Sequence, residues 1–475
     1  LFLPAVLAGY FGLCRMKRHT WARGFLAAMS LVFFAYANPW YLGLLVGSAV
    51  FNWAVSRVLA GEGNKETAKG NSKTPGRRMV LVFGICANLA LLFYFKYTNF
   101  FIENLNTFLG KDIAFTRLLL PVGISFFTFQ QIAWLVDSFC METGDYSFWD
   151  YFLFTVYFPK IAMGPILLHG EFMPQLKDPS RLKADSRNMA EGLMILAVGL
   201  FKKVILAEFF AGPVNWGYAQ VEILSSTDAF LVMLAYTFQL YFDFSGYCDM
   251  AMGISRMFNL ELPLNFNSPY KALSPVEFWK RWHMTLTRFL RTYIYFPLGG
   301  SRKGSLRTYM NIMIVFLVSG FWHGAAWTFI LWGALHGAAQ ALNRVFKRQW
   351  ENLHTAFRWM ATFLFVNLTW VIFRSESISQ AKLFLKRLLD FGNMQINPSF
   401  MDSFKMVELP LWLTGHRVFT VLGLYGIVLC LVMNARNMGE TELRPTFLRG
   451  AGTALLLVWS VLSLAGISGF IYFQF

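Results

Sequence analysis

The stretch that decides the fold runs from Ser274 to His336. It begins SPVEFWKRWHMTLTRFLRTYIYFPLGGSRKG at residues 274–304, and it closes SGFWHGAAWTFILWGALHG at residues 319–337. Histidines, tryptophans, arginines and lysines are concentrated there between strongly apolar runs. An ionisable side chain at membrane depth is costly, so by default it indicates function. We therefore expect the functional site of this chain to lie in this stretch.

The first half of the stretch predicts one helix with a clear start. Ser274 can cap it, and Glu277 three residues later completes a capping box. Pro297 ends it. On such a helix Trp279 and His283 are four residues apart and share one face.

The second half places a histidine at the end of an apolar run. His323 follows a run that begins at Met310, and His336 comes thirteen residues later. On a continuous helix that spacing is roughly 220°, so the two side chains face different ways. His283 and His323 lie on different segments, and only the fold can bring them together.

Composition and hydropathy predict an all-α polytopic membrane protein. Of the 475 residues 56% are hydrophobic and only 14% are charged, against about 25% charged in soluble domains. The apolar runs are about 20 residues long, as a bilayer requires. We expect about eleven to thirteen membrane segments in a single membrane domain over residues 1–475, with 262–337 as its central part. The run 149–168 contains prolines and glycines and predicts a broken or re-entrant helix.

The net charge of +16 comes from 42 Lys and Arg against 26 Asp and Glu. The basic residues lie in short loops, which is the positive-inside pattern, so we do not expect nucleic acid as a partner. A second interpretation is that some of them hold an anionic acyl donor. The basic loop 61–78 predicts a cytoplasmic position, and the acidic loop 140–150 predicts the outer side. The five cysteines are scattered, with no metal-ligand spacing, so no metal site is expected.

The polar residues inside apolar runs can be structural or functional. A lone intramembrane histidine such as His323 is as readily structural as functional, but His283 in an equally apolar setting favours function. An imidazole can take a proton from a hydroxyl near neutral pH. His336 is interpreted as structural. Asp243 and Asp249 are roughly 240° apart on a helix, so each is expected to cap, to pair with an arginine or to orient a histidine on its own.

A glycine-rich loop ends the first half of the central stretch. The loop GGSRKG at residues 299–304 could cradle phosphates through its backbone N–H groups, but it lacks P-loop spacing and a plain turn is the simpler interpretation. The chain contains no G-x-S-x-G, H-E-x-x-H or G-x-G-x-x-G motif. Hydrolases, zinc proteases and nucleotide-binding enzymes of those types are therefore not indicated.

The order of motifs along the chain resembles the membrane-bound O-acyltransferase (MBOAT) family, and within it the bacterial alginate O-acetyltransferase type. The resemblance covers nearly the whole chain. It is carried by PVGISFFTFQQIAWLVD (121–137), YFPKIAMGPI (157–166), FDFSGYCDMAMGISRMF (242–258), LPLNFNSPYKA (262–272), FWKRWHMTLTRFLRTYIYFPLGG (278–300), SGFWHGAAWTFILWGALHG (319–337) and WVIFRSESISQA (370–381).

The resemblance implies a bundle of many helices around a central tunnel. The histidine of the family's W-H-G motif is catalytic, which here is His323, and the histidine of its R-W-H motif lies nearby, which here is His283. Relatives acylate polysaccharides outside the cytoplasm from a cytoplasmic thioester, commonly with a periplasmic or extracellular SGNH-type acyltransferase as partner. In one place the sequence departs from the family pattern. Thr292 stands where the family motif F-L-R-D-Y has an aspartate, so a role for that acid is in doubt here.

Residues and resemblance together predict a bacterial inner-membrane O-acyltransferase without a tightly bound cofactor. It moves an acetyl group from acetyl-CoA, or from an acylated carrier protein, to hydroxyls of an extracytoplasmic polysaccharide such as alginate, directly or through a partner. His323 is the expected base, and His283 is the second catalytic candidate. The residues expected to bind substrate are Trp282, Arg281, Trp279, Trp322, Asp243 and Asn265.

Three alternatives stay open at this point. Within the family, the chain could be a teichoic acid D-alanyltransferase that uses an acylated carrier protein. Peptidoglycan or cellulose is as acceptable as alginate by these motifs. Outside the enzymes, it could be a transporter of acyl groups or polysaccharide, which would be marked by duplicated halves with paired broken helices. No such duplication is visible in the sequence.

Overall fold

The computed structural model describes residues 1–37, 39–61, 75–115, 118–143, 146–404, 417–434, 437–438 and 444–464. Within these ranges the ordered elements are α-helices with short 3-10 and π-helical turns, and there is no strand. The all-α prediction is therefore confirmed. Most of the loop 61–78, which was predicted to be cytoplasmic, lies outside the described residues.

The chain divides into two compact units, which we treat separately. The first unit is Leu1–Leu196 with Met250–Pro263, and the second is Ala197–Asp249 with Leu264–Phe475. The prediction of a single domain over the whole chain stays a prediction beside this division.

Helices of the first unit come mostly from the N-terminal part of the chain. They are α1 (Phe2–Arg15), α2 (His19–Ala37), α3 (Leu42–Ala60), α4 (Pro75–Lys96), α5 (Thr98–Leu109), α6 (Ile124–Phe139), α7 (Phe148–Val156), α8 (Phe158–Ile161) and α9 (His169–Lys177). Helix α10 (Ser186–Phe201) begins in this unit and ends in the second.

Helices of the second unit continue in chain order. They are α11 (Glu208–Ala219), α12 (Ser226–Met257, whose last turns belong to the first unit), α13 (Pro275–Arg281), α14 (Met284–Leu290), α15 (Ser305–His323), α16 (Trp327–Val345), α17 (Lys347–Glu351), α18 (Thr355–Arg374), α19 (Ile378–Leu388), α20 (Pro398–Asp402), α21 (Arg417–Asn434) and α22 (Phe447–Leu462).

The protein is a multi-pass membrane protein. Among the described residues, five helices are long and apolar enough to cross a bilayer: α2, the Pro39–Ala60 segment that contains α3, α4, α18 and α21. Helices α1 and α22 are apolar but shorter. The predicted eleven to thirteen segments and the tunnel stay predictions, because the remaining helices are shorter, interrupted or more polar than a simple span.

The broken helix predicted over 149–168 is confirmed in the first unit. Helix α7 ends at Val156, and the buried four-residue helix α8 follows after Tyr157. Lys160 in α8 is buried; its ammonium group donates to the side-chain oxygen of Gln130 and to the carbonyl of Thr155 at 3.4 Å. Irregular backbone is tolerated in this buried position because its polar groups form hydrogen bonds inside the protein.

The predicted placement of the acidic loop 140–150 opposite the basic loop 61–78 is wrong. The guanidinium of Arg77 donates to the carbonyl of Leu59 at 2.6 Å and to that of Phe139 at 3.1 Å. These carbonyls belong to the last turns of α3 and α6, so both loops begin at the same end of the first unit. At that end the guanidinium of Arg77 satisfies carbonyls of two helix C-termini, which is favourable for a cation.

In the second unit, α15 and α16 form a tightly packed antiparallel hairpin. A Cβ atom at Gly320 would lie 2.3 Å from the carbonyl oxygen of Phe329, and one at Gly333 would lie 2.4 Å from that of Phe316. Only glycine allows this close approach of the two backbones. The hairpin places His323 at its turn, about 27 Å along the axis from the first residue of α15.

Candidate active site

The helix that leads to the site begins as predicted. The Ser274 hydroxyl accepts a hydrogen bond from the backbone N–H of Glu277 at 3.1 Å. The Glu277 carboxylate accepts in return from the N–H of Leu273 at 2.9 Å. The helix then ends at Arg281, so the prediction of one continuous helix as far as Pro297 is wrong.

A break at His283 separates α13 from α14. His283 has φ 45° and ψ 52°, a left-handed conformation that costs a residue other than glycine about 1–3 kcal/mol. Asn265 holds this turn in place: its carbonyl accepts from the N–H of Met284 at 3.0 Å, and its side-chain oxygen accepts from the N–H of Thr285 at 3.2 Å. Because of the break, Trp279 and His283 do not share a helical face.

The fold brings the two catalytic candidates together. His283 and His323, hereafter the histidine pair, have ring centroids 6.4 Å apart. His283 is fully buried and His323 is 4% exposed. Trp322, which was predicted to bind substrate, lies beside both, with ring centroids 6.0 Å and 4.9 Å away. Two imidazoles and an indole therefore lie side by side in one buried region.

Two aromatic neighbours of His323 were not predicted from the sequence. Trp332 and Phe373 lie edge-on to its ring at centroid distances of 5.2 Å and 5.3 Å. Trp332 also lies 4.8 Å from the ring of His336, four residues later on α16, but that spacing does not link it to His323. Phe373 comes from α18, and no local signal links it to His323. These rings make the surroundings of His323 largely apolar, which strengthens electrostatic interactions there.

His336 has a partner at each ring nitrogen. The indole N–H of Trp279 donates to its Nδ1 at 3.1 Å, so its proton is on Nε2. That nitrogen is 3.0 Å from the hydroxyl of Thr369, which itself donates to the carbonyl of Val366. This arrangement is consistent with the structural interpretation of His336. It also places Trp279, predicted to bind substrate, against His336.

The two aspartates of α12 pair with adjacent lysines. Lys203 Nζ lies 2.6 Å from Asp243 Oδ1, and Lys202 Nζ lies 2.6 Å from Asp249 Oδ2. The lysines begin a π-helical turn, Lys202–Ala207. Asp243 and Asp249 therefore have separate partners, as their spacing predicted, although the expected arginine is a lysine. Lys203 Nζ also lies 3.4 Å from Glu208 Oε1, so it has two carboxylate partners.

The other two residues predicted to bind substrate lie outside the pair. Trp282 is fully buried and packs against Phe278 and Trp370, with ring centroids 5.6 Å and 5.1 Å away. Arg281 is partly exposed and bonds Glu277 at 2.9 Å. Thr292, at the position where the family pattern has an aspartate, is exposed in a π-helical turn.

A polar cavity of about 870 Å³ opens beside the start of α13. We call it the basic cavity. Its charged lining residues are Glu277, Lys280, Arg281, Arg344, Lys347, Glu351 and Arg358. Arg281 pairs with Glu277, and Lys347 lies 3.7 Å from Glu351. In the described part of the chain Lys280, Arg344 and Arg358 have no carboxylate partner. The cavity therefore carries an excess of positive charge.

One short helix links this cavity to the histidine pair. Helix α13 contributes Lys280 and Arg281 to the cavity, and His283 follows two residues after the helix ends. Its seven residues span about 10 Å. Neither histidine of the pair is among the residues that line the cavity. No cluster of metal-ligating side chains occurs in the described ranges.

Comparison with known proteins identifies the class of this chain. Residues 79–379 match the membrane-bound O-acyltransferase family, and these residues include the histidine pair, α13 and the basic cavity. The chain belongs to this family, and it is a membrane O-acyltransferase.

Individual relatives narrow the comparison. The chain is 42% identical over 425 residues to a peptidoglycan O-acetyltransferase of Helicobacter pylori, which covers 83% of this chain and 79% of the relative. It is 34% identical over 403 residues to a probable alginate O-acetylase AlgI of Pseudomonas aeruginosa, covering 84% and 74%. A teichoic acid D-alanyltransferase of Lacticaseibacillus rhamnosus is more distant, at 25% over 355 residues, covering 70% and 82%.

Proposed function

We propose that this enzyme transfers an acetyl group from a cytoplasmic thioester to hydroxyl groups of a cell-envelope glycan. The observation that carries the proposal is the buried histidine pair at the end of the short helix that starts on the basic cavity. One end of this arrangement suits an anionic donor. The other end holds imidazoles that can move a proton.

In the proposed reaction His323 is the general base. Its imidazole takes the proton of the acceptor hydroxyl while the oxygen attacks the thioester carbonyl. The new C–O bond forms, the C–S bond breaks, and the thiolate leaves with the proton that the imidazolium returns. The acceptor hydroxyl belongs either to the glycan or to a partner protein that passes the acetyl group on. The aromatic surroundings exclude water, which favours transfer over hydrolysis.

The basic cavity supports a donor that carries phosphate. Acetyl-CoA and acylated carrier proteins both present their thioester on a phosphopantetheine arm, which is anionic at one end and extended. Lys280, Arg344 and Arg358 supply the charge to hold the phosphate, as cations do in phosphate recognition generally. Positive-inside bias puts such a basic end on the cytoplasmic side, where these donors occur. We propose acetyl-CoA as the first donor to test.

Peptidoglycan is the acceptor we propose to test first, and alginate the second. The relative at 42% identity is named for peptidoglycan O-acetylation and the relatives at 32–34% for alginate. We further propose a bacterial inner-membrane location and an extracytoplasmic SGNH-type partner for the final transfer. D-alanyl transfer from a carrier protein remains the alternative within the family. Family membership favours an enzyme over the transporter alternative.

The experiment is thiol release from three donors by the purified enzyme in liposomes. Acetyl-CoA, an acetylated carrier protein and a D-alanylated carrier protein are offered in parallel, with and without peptidoglycan fragments and partner. Free thiol that appears with acetyl-CoA, and acetate ester that appears on the glycan, support the proposal. Thiol released only from a D-alanylated carrier protein would replace it with the alternative. No release from any donor, with glycan and partner both present, would contradict it.

A further inference from the structure

We infer that Asn265 is a positioning residue that fixes the proton of His283 on Nδ1. It was predicted from sequence to bind substrate, but its side chain is fully buried and is turned onto the His283 turn. The inference rests on the proposed function for its catalytic consequence. The tautomer itself can be measured without any activity.

The orientation of the Asn265 amide follows from its partners. The backbone N–H of Thr285 can only donate, and it points at Asn265 Oδ1 from 3.2 Å. The Thr285 hydroxyl lies 2.9 Å from the same oxygen. The amide nitrogen faces Cys248 Sγ at 3.4 Å, and sulfur is a weak acceptor. The atom that faces the His283 ring is therefore the oxygen.

The tautomer of His283 follows from that orientation. His283 Nδ1 lies 3.2 Å from Asn265 Oδ1, and an amide oxygen only accepts hydrogen bonds. In neutral His283 the proton is therefore on Nδ1, where it can be donated. The lone pair is then on Nε2, which faces away from Asn265, on a ring whose centroid is 6.4 Å from that of His323.

Asn265 also fixes where the ring stands. Its backbone carbonyl holds the N–H of Met284 at 3.0 Å, and its side chain holds Thr285, so one residue bonds three consecutive positions. The left-handed backbone of His283 depends on this clamp. Asn265 thus sets both the position of the imidazole and the nitrogen at which it can accept a proton or a hydrogen bond during acyl transfer.

The test combines histidine-selective 15N NMR with thiol release. Enzyme with 15N-labelled histidine rings is reconstituted in liposomes, and the His283 signals are assigned by their loss in His283→Gln. We expect a protonated Nδ1 and an unprotonated Nε2 in the wild type. A wild-type spectrum with the proton on Nε2 overturns the inference, whether or not the enzyme releases thiol.

Three variants separate the effect of the hydrogen-bond acceptor at Asn265 from the effect of side-chain packing. Asn265→Leu keeps the volume and removes the acceptor, so we expect Nδ1 to lose its fixed proton. The rate of thiol release should fall at least about tenfold with little change in KM, because a wrong tautomer presents a proton where a lone pair is needed. Asn265→Asp keeps an acceptor oxygen and should keep Nδ1–H. Thr285→Val is the matched control, because it removes another bond to the same oxygen.

The NMR spectra of these variants can either support or overturn the role of Asn265. Retention of Nδ1–H in Asn265→Leu, or its loss in Asn265→Asp, overturns the inference. An unchanged tautomer in Thr285→Val, together with a shift in Asn265→Leu, supports it. If wild-type enzyme releases no thiol, the proposed function fails while the NMR result still decides the role of Asn265.

Discussion

His336 and the histidine pair are equally buried, but their surroundings differ in kind. His336 has the Trp279 indole at one nitrogen and the Thr369 hydroxyl at the other, which fixes its protonation. His323 lies among aromatic rings, and His283 is held on one side by Asn265. Burial alone therefore does not separate a structural histidine from a catalytic candidate. What differs is the kind of neighbour, since His336 lies between two hydrogen-bond partners, His323 among aromatic rings, and His283 against an amide.

The largest loss of rate is expected when His323 is replaced. His323→Ala removes the proposed general base, so the rate of acetyl transfer should fall about 10²- to 10⁴-fold. The melting temperature in detergent should stay near that of the wild type. Initial rates of thiol release measure the first quantity, and a thermal unfolding scan measures the second. A variant that keeps more than half of the wild-type rate would remove His323 from the chemical step.

A smaller loss is expected at the other member of the pair. His283→Ala should lower the rate about tenfold to a hundredfold, because the second imidazole assists the base without replacing it. The double variant with His323→Ala should be hardly slower than His323→Ala alone, since the two residues act as a unit. Multiplicative losses in the double variant would show that the histidines act independently. The same initial-rate assay supplies all four values.

The opposite behaviour is expected at His336. His336→Leu leaves the Trp279 indole and the Thr369 hydroxyl buried without their imidazole partner, which should cost about 1–3 kcal/mol of stability. The melting temperature should fall, while the rate per folded molecule should stay within about twofold of wild type. Thermal unfolding and activity after removal of aggregate measure this. Full stability with lost activity would place His336 in the catalytic machinery.

The smallest change in kinetics is expected when cations of the basic cavity are replaced. Lys280→Gln with Arg358→Gln should raise KM for acetyl-CoA about three- to tenfold, which is about 1 kcal/mol, and leave kcat unchanged. Added salt should reduce the difference. Lys382→Gln with Lys386→Gln is the control, because it removes the same charge from exposed positions of α19. An equal rise in KM in the control would show only a general effect of net charge.

The sequence predicted those parts of the fold and site that depend on residues close together in the chain. The cap at Ser274 and the broken run after Val156 follow from residues a few positions apart, and both were predicted. The break at His283 was not, because nothing in its neighbours requires a left-handed turn. That turn is held by Asn265, eighteen residues earlier in the chain. A hydrogen bond between residues so far apart in the chain leaves no periodic pattern in the sequence.

Charge patterns predicted less than hydropathy did. The acidic loop 140–150 was placed opposite the basic one by counting charges, but Arg77 bonds the helix ends beside both. Lys202 and Lys203 were visible in an apolar run, yet their pairing with Asp249 and Asp243 depends on a π-helical turn. The proximity of His283 and His323 was suggested by family resemblance alone, since no spacing links them.

The most direct measurement places His323→Ala and His336→Leu side by side, with rate and melting temperature determined on the same preparations. The two variants should give opposite results. His323→Ala should lose at least about a hundredfold in rate at wild-type stability, and His336→Leu should lose stability at nearly wild-type rate per folded molecule. Loss of rate at full stability in His336→Leu, with His323→Ala still active, would show that His336 and not His323 is the catalytic histidine.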